Sequence, residues 1–372
     1  MVVGWFKDTQ SECNHGGLEC FDVRIEDMGG HALKINPHRM SREEYEHVSR
    51  FVLAHLFQIA PSVRADVLPS YFNKKSFGDV DVLVSTDVKS SESEVLRSLN
   101  PSEVVRNGPT VSLGLPFDFG TVQVDLLYTP NESYDFAMGY LGFNDLGNLL
   151  GRVAHKANFK LGHLGLMYVM RASNVESRVV AELTVTRDWD AAIELFGYDP
   201  ALYRLNAQDG FRDFDDIFRF TMSSPYAYPE LYLLENQSHS SRTRDRKRPA
   251  YQQFLRWLND ISLYTERGPW EDPEEVRVTL LQSARNRFPD FNDEYLAAIE
   301  LERMQTVART KFNGLIVSER TGLTGPALGQ VMREIRDLFE TRAQMLAWLQ
   351  DASTLDIDHL IDRVMPERSV AL

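Results

Sequence analysis

The run Gly78-Asp79-Val80-Asp81-Val82-Leu83-Val84 limits what this chain can fold into more than any other segment. Apolar residues alternate with aspartates, so it reads as a strand, and residues two apart project from one face. Adjacent carboxylates repel, and each resists ionising while the other is charged. A third acid, Asp125, interrupts a second apolar strand, Thr121 to Tyr128, in which Val122, Val124, Leu126 and Tyr128 share the opposite face. An acid inside such a run is costly without a partner. Taken alone, an Asp-x-Asp pair reads more readily as strand-edge or turn acids than as a site. Ser70, Lys74 and Lys75 upstream and Asp125 downstream turn the reading towards chemistry. Three carboxylates on adjacent strands suit Mg²⁺, or Mn²⁺, which takes oxygen ligands and keeps positions open for water and phosphates. Two such ions about 4 Å apart can activate a hydroxyl and stabilise a leaving pyrophosphate.

Around this cluster the chain divides into regions. Residues 1–61 form an N-terminal segment and helix. The segment is irregular and glycine-rich to residue 40 (Gly16-Gly17, Gly29-Gly30), and Ser41 with Glu44 then makes a capping box. Tyr45, Val48, Val52, Leu56 and Ile59 share one helical face, which Pro61 closes. The two strands, with a short helix from Ser91 to Leu99 between them, give an α+β sheet domain over 62–130. Helical patterns at about 144–159 and 188–197 occupy a smaller subdomain, 131–205. Residues 206–372 read as a helical C-terminal domain, with helices at about 211–222, 249–264, 273–286, 292–318 and 325–350 and a polar loop from Glu235 to Arg248.

Ser70 to Val84 resembles the catalytic motif of the DNA polymerase beta superfamily of nucleotidyltransferases, most closely that of family X DNA polymerases. Their pattern runs Gly-Ser-aromatic-Arg-Arg-Gly-Lys, a short spacer, then Gly-Asp-Val-Asp and an apolar strand. Asn107-Gly108-Pro109-Thr110 and Val122 to Leu127 are similar to the approach to the third aspartate and its strand. Ala137 to Gly142, Asn148 to Leu166 and Thr184 to Tyr203 resemble the family X segments that follow the palm, so the likeness spans roughly 62–205. It implies a nucleotidyltransferase palm with a mixed β-sheet, followed here by the helical C-terminal region. It also implies metal-dependent transfer from an NTP or dNTP to a DNA or RNA 3′-hydroxyl, with release of pyrophosphate. Asp79 and Asp81 would hold both of two ions, and Asp125 the one beside the attacking hydroxyl. Ser70, Asn73, Lys74, Lys75 and Gly78 would serve the phosphates, and Tyr140, Gly142 and Asn148 the nucleotide. The chain departs from the pattern in three places. Pro69 replaces the motif glycine, the spacer is one residue shorter, and the Thr-Gly-Ser motif reads Leu141-Gly142-Phe143. About 60 residues precede the motif, with neither the lyase domain nor the helix-hairpin-helix of the repair polymerases, so no abasic-site lyase role is expected.

Further on, Phe312-Asn313-Gly314, Thr321 to Gly329 and Val331 to Phe339 resemble the helical tail of CCA-adding enzymes and bacterial poly(A) polymerases. Gly325-Pro326 suits a tight turn opening a helix; a plain helix–turn–helix within a bundle is the alternative. This likeness makes tailing of tRNA or RNA 3′ ends a second activity to consider. Nucleotidyl transfer to a protein or small molecule is a third.

Charge bears on the acceptor. With 40 Lys and Arg against 54 Asp and Glu, the 372-residue chain carries −14, which argues against a protein coated in nucleic acid but not against a local groove. Ser240 to Trp257 carries Arg242, Arg244, Arg246, Lys247, Arg248 and Arg256 against Asp245, a local +5, with Tyr251, Phe254 and Trp257 following. Such a segment can grip phosphates and stack on bases; the alternative is a solvated loop leading into a helix whose aromatics are core. Arg333 and Arg336 are a weaker second track. No apolar run approaches the ~20 residues that span a bilayer. Met1 to Gln10 lacks the apolar stretch of a signal peptide. An intracellular, cytoplasmic protein without membrane contact is expected, and the mixed architecture suggests a viral enzyme of the host cytoplasm. Cys13 and Cys20, flanking His15, lack zinc spacing and read as reduced thiols.

Overall fold

The computed structural model describes residues 32–86, 91–172, 175–260 and 268–365. Cys13, His15, Cys20 and the paired glycines lie outside the described residues. The capping box forms as expected. The Ser41 hydroxyl accepts from the Glu44 N–H, and the Glu44 carboxylate accepts from the Ser41 N–H at 2.7 Å, opening α1 (Arg42–Ile59).

The aspartates sit on β2 (Asp79–Ser85) and β5 (Gly120–Thr129). These are the second and third strands of a five-stranded sheet ordered β1-β2-β5-β4-β3, completed by β1 (Ala65–Val67), β3 (Glu103–Asn107) and β4 (Thr110–Phe117). β2 and β5 run parallel and every other neighbouring pair is antiparallel, so the sheet is mixed. A parallel pair needs a long connection. Here it comprises α2 (Glu92–Leu99) and the β3–β4 hairpin, whose turn uses Gly108 at φ +60°. Sequence reading had missed β1, β3 and β4.

Alternation fixes the two faces of the sheet. Val80, Val82, Val84, Val122, Val124 and Leu126 form one core with Val48, Val52 and Leu56 of α1. Each side chain withdrawn from water in this way contributes about 1.5–3 kcal/mol. A one-residue slip of β2 would turn its three valines outward, so the register is firmly specified. The opposite face carries Asp79, Asp81 and Leu83. Leu83 is covered by Tyr134 and Ala137 of α3 (Tyr134–Leu141), which leaves the aspartates at the open end of the strand.

The remainder corrects several sequence expectations. Residues 131–205 hold a three-stranded antiparallel sheet that periodicity did not reveal, made of β6 (Phe159–Gly162), β7 (Gly165–Ala172) and β8 (Val175–Thr186). The helix expected to reach residue 159 is α4 (Leu146–Lys156); Asn158, at φ +64°, turns the chain into β6. Then follow α5 (Trp189–Leu195), α6 (Pro200–Asp209) and α7 (Phe214–Thr221). The expected polar loop 235–248 contains a helix, α8 (His239–Arg246), opened by Ser238, whose hydroxyl accepts from the Ser241 N–H. After α9 (Pro249–Asp260) and α10 (Pro273–Arg287), the expected helix 292–318 is divided into α11 (Pro289–Lys311) and α12 (Gly314–Thr321). The divider is Asn313, whose Oδ1 accepts from Leu315 and Ile316 N–H. The expected helix 325–350 likewise divides into α13 (Gly325–Asp337) and α14 (Arg342–Asp351), with Thr341 capping the latter, before α15 (Thr354–Val364). In each case a short polar side chain satisfies free N–H groups and so starts a new helix where apolar spacing alone suggests continuity.

A second core runs from Tyr71 and Phe136 to Phe291 and passes without a break through residue 205. A third, from Ala308 to Ile361, unites α11 to α15. Among the described residues no strand follows Thr186, and no helix is long and apolar enough to cross a membrane.

Candidate functional site

Parallel pairing sets Asp81 directly opposite Asp125 and Asp79 opposite Gln123. Asp79, Asp81 and Asp125 each offer a carboxylate oxygen within 4.8 Å of the other two. Burial, then the charges of Asp79 and Asp125, push the Asp81 carboxyl well above the usual carboxylate range, with Lys74 opposing. Burial also raises Asp125; hydrogen bonds from Ser112 and Gln123 oppose the shift, and the charge of Asp79 adds to it. Ser112 faces Asp125 across the β4–β5 pair, and Gln123 Nε2 donates to both Asp125 oxygens at 3.1 Å.

A loop brings the basic side of the site. Ser70, Lys74, Asp79 and Asp81 line one cavity of about 200 Å³ together with Tyr45 and Asn144. The loop is fastened from two directions. Arg42 of α1 donates to the Phe72 and Lys74 carbonyls at 2.6 and 2.9 Å. Phe72 and Asn73 N–H donate to the Phe211 and Arg212 carbonyls at 2.7 and 2.8 Å. Burial lowers the Lys74 ammonium, and the nearby Asp79 and Asp81 counter that by favouring its charge. Its Nζ lies 4.9 Å from the centre of the Phe77 ring. Burial and the two aspartates raise the Tyr45 hydroxyl, keeping it protonated. Three acids therefore face one partly desolvated lysine. Hard oxygen donors with excess negative charge are a set that a divalent cation such as Mg²⁺ or Mn²⁺ fits.

This imbalance predicts a measurable strain on the fold. A carboxyl raised in the folded state destabilises it above its unfolded pKa, and the cost grows from there up to the folded value, beyond which it is constant. Asp81→Asn is therefore expected to raise the melting temperature in chelator at neutral pH by a few degrees, and to lose that advantage near pH 3. Calorimetry checks this, and a variant less stable than the wild type at neutral pH would refute it.

The other sequence candidates divide. Gly78 is buried at the entrance to β2. Asn73 and Lys75 are exposed and do not line the carboxylate cavity. Gly142 is buried against Pro69; a Cβ there would lie 2.9 Å from the Pro69 ring and 2.8 Å from the Met138 carbonyl. Tyr140 is half-buried, its hydroxyl raised by burial and lowered by Arg248 and Arg244. Asn148 lies on α4, not in the carboxylate cavity, and its Oδ1 accepts from Arg244 at 3.3 Å.

The basic segment forms α8 and the turn after it, and much of it is committed within the protein. Arg248 binds Asp145 at 2.6 Å, Arg244 binds Asp245 at 3.0 Å, and Arg242 donates to the Gln237 carbonyl at 3.1 Å. Fully buried Asp245 also pairs with Arg152 of α4. Arg246 and Lys247 remain on the surface. Tyr251 and Phe254 are core, as the blander reading had it. Arg333 and Arg336 are exposed on α13.

Sequence reasoning missed Tyr45, Asn144, Ser112 and Gln123. Only Gln123 left a trace: a polar residue two positions before Asp125 shares its strand face. No protein-family model matches this chain, and no curated protein matches it.

Proposed function

We propose that the protein is a metal-dependent nucleotidyltransferase built on a palm-type sheet, adding nucleotides from an NTP or dNTP to a nucleic-acid 3′-hydroxyl. The observation that carries this reading is the triad of mutually close carboxylates on adjacent parallel strands, with Ser70 and Lys74 in the adjoining cavity. When held by Asp79, Asp81 and Asp125, Mg²⁺ or Mn²⁺ would supply charge neutralisation for the triphosphate and acidify the attacking hydroxyl. Ser70 donates a hydrogen bond to a phosphate oxygen. The Lys74 ammonium pairs with the β- or γ-phosphate, and the fastened loop keeps both in position. Asp125 is suited to take the 3′-hydroxyl proton while Gln123 and Ser112 fix its orientation. Catalysis of this kind is chiefly positioning and electrostatic stabilisation.

The assay is extension of labelled primed DNA, single-stranded DNA, single-stranded RNA and tRNA with each nucleotide in Mg²⁺ or Mn²⁺, with Asp79→Ala/Asp81→Ala as blank. Extension of primed DNA alone makes the enzyme a family X-like polymerase. Extension of unpaired ends makes it a tailing enzyme, the reading that the sequence of α12, the Gly322 turn and α13 favours. No extension of any strand by a protein that still binds nucleotide overturns the nucleic-acid acceptor. A protein or small-molecule acceptor then takes its place.

A further inference from the structure

Tyr45 opens the inward stripe of α1, and its ring packs with the apolar core of the five-stranded sheet. The ring also stacks on Phe77, with centres 4.0 Å and planes 21° apart. Phe77 is fully buried and tied to the lead-in of α1, because it exchanges two backbone hydrogen bonds with Met40 at 2.8 and 2.9 Å. The phenol is thus held in one place before any ligand arrives. Its hydroxyl is the exception to this packing. It has no hydrogen-bond partner among the described residues, yet unlike the unpartnered hydroxyl of Tyr128 it is not sealed from solvent. Tyr45 lines the carboxylate cavity, and Asp81 and Asp79 lie near enough for their charges to act on the oxygen. A free, accessible donor therefore faces the cavity.

The neighbours of this hydroxyl indicate what would take its proton. Phe77 carries both the stacked ring of Tyr45 and, 4.9 Å from its own ring centre, the ammonium of Lys74. Tyr45, Lys74 and Ser70 line one cavity of about 200 Å³, and in so small a space a single polyphosphate meets all three. An anionic oxygen is the strongest partner for an unpaired hydroxyl. Charge also favours a hydroxyl at this position over a second lysine. Another ammonium beside Asp79 and Asp81 would pair with them and compete with a cation, whereas a neutral donor can hold phosphate and leave the carboxylates free.

We propose that Tyr45 binds the substrate directly: its hydroxyl donates to an oxygen of the terminal phosphates beside Lys74, a role that rests on the cavity's taking a nucleoside triphosphate. The test is Tyr45→Phe in the full chain. Phenylalanine keeps the stack on Phe77 and removes a hydroxyl that has no partner to lose, so the variant should melt with the wild type in chelator. Three titrations then read the site: ATP with Mg²⁺, inorganic triphosphate competing against ATP with Mg²⁺, and Mn²⁺ alone. Tyr45→Phe should weaken ATP and inorganic triphosphate about tenfold each, the equivalent of about 1.4 kcal/mol, and leave the affinity for Mn²⁺ unchanged. Unchanged ATP affinity in the variant overturns the role of Tyr45 while the triphosphate site itself stands. A loss of Mn²⁺ affinity as large as the loss for ATP also overturns it, because Tyr45 would then be positioning the carboxylates. So does a loss for ATP without one for inorganic triphosphate, or a wild type from which inorganic triphosphate cannot displace ATP, since the hydroxyl would then serve sugar or base. A wild type that binds no ATP in Mg²⁺ removes the nucleotidyltransferase reading and the role of Tyr45 together.

Discussion

Asp125→Asn should lower the single-turnover rate of nucleotide transfer by about 10³-fold or more, while nucleotide still binds in the presence of Mg²⁺ within a few-fold of wild type. The two halves of this result have different origins in the site. Asn has nearly the shape of Asp, and the side chain sits between Gln123 Nε2 and Ser112, so its packing survives. What disappears is one negative charge and the group suited to receive the hydroxyl proton. Asp79, Asp81, Ser70 and Lys74 belong to a different strand and loop and remain able to hold a metal–triphosphate. Quenched-flow extension gives the rate, and titration of a fluorescent nucleotide analogue gives the affinity. Wild-type-like turnover would remove Asp125 from the chemistry and with it the assignment of the triad. An equal loss of rate and affinity would make Asp125 a binding residue only.

The carboxylate triad was legible because it violates a local rule. Acids at Asp79, Asp81 and Asp125 sit where a strand wants apolar or neutral residues, and such conflicts mark functional positions. The alternation of Val80, Val82 and Val84 located β2, and the same period located β5. Other parts were hidden for physical reasons. β3 is only five residues long and joined to β4 by a two-residue turn, β6 is only four residues long, and β7 lacks strict alternation. The helix breaks at Asn313 and Thr341 depend on a single capping side chain each, which apolar spacing does not register. The basic segment was the most misleading. Its local charge of +5 describes composition, whereas Asp145, Asn148 and Asp245 bring Arg248, Arg244 and Arg152 into internal contacts. Sequence cannot distinguish an arginine that awaits phosphate from one already committed across the fold.

That commitment makes Asp245 the residue whose loss should damage the fold most. Its side chain is fully buried, while Arg152 retains 11% exposure and lies with its guanidinium 5.7 Å from the centre of the Tyr251 ring. Asp245→Ala leaves Arg152 with no carboxylate in a desolvated site, and breaking a buried pair from one side costs about 3–5 kcal/mol. In a chain of this size that corresponds to a fall in melting temperature of about 4–6 °C. The pair is shielded from solvent, so high salt should change the loss little. The companion Asp245→Ala/Arg152→Met removes both charges and places an apolar chain beside Tyr251, so it should recover most of the stability, because replacing a buried pair with apolar side chains is often neutral. Calorimetry of wild type, single and double variants closes the cycle. A loss below about 1 kcal/mol in the single variant, the range of an exposed pair, would mean that α8 is not anchored to α4 through this contact. The arginines of α8 would then be free for an external partner. A large loss with rescue by the second substitution means that α8 is part of the scaffold, so any phosphate track on this surface must be built from Arg246, Lys247 and their exposed neighbours.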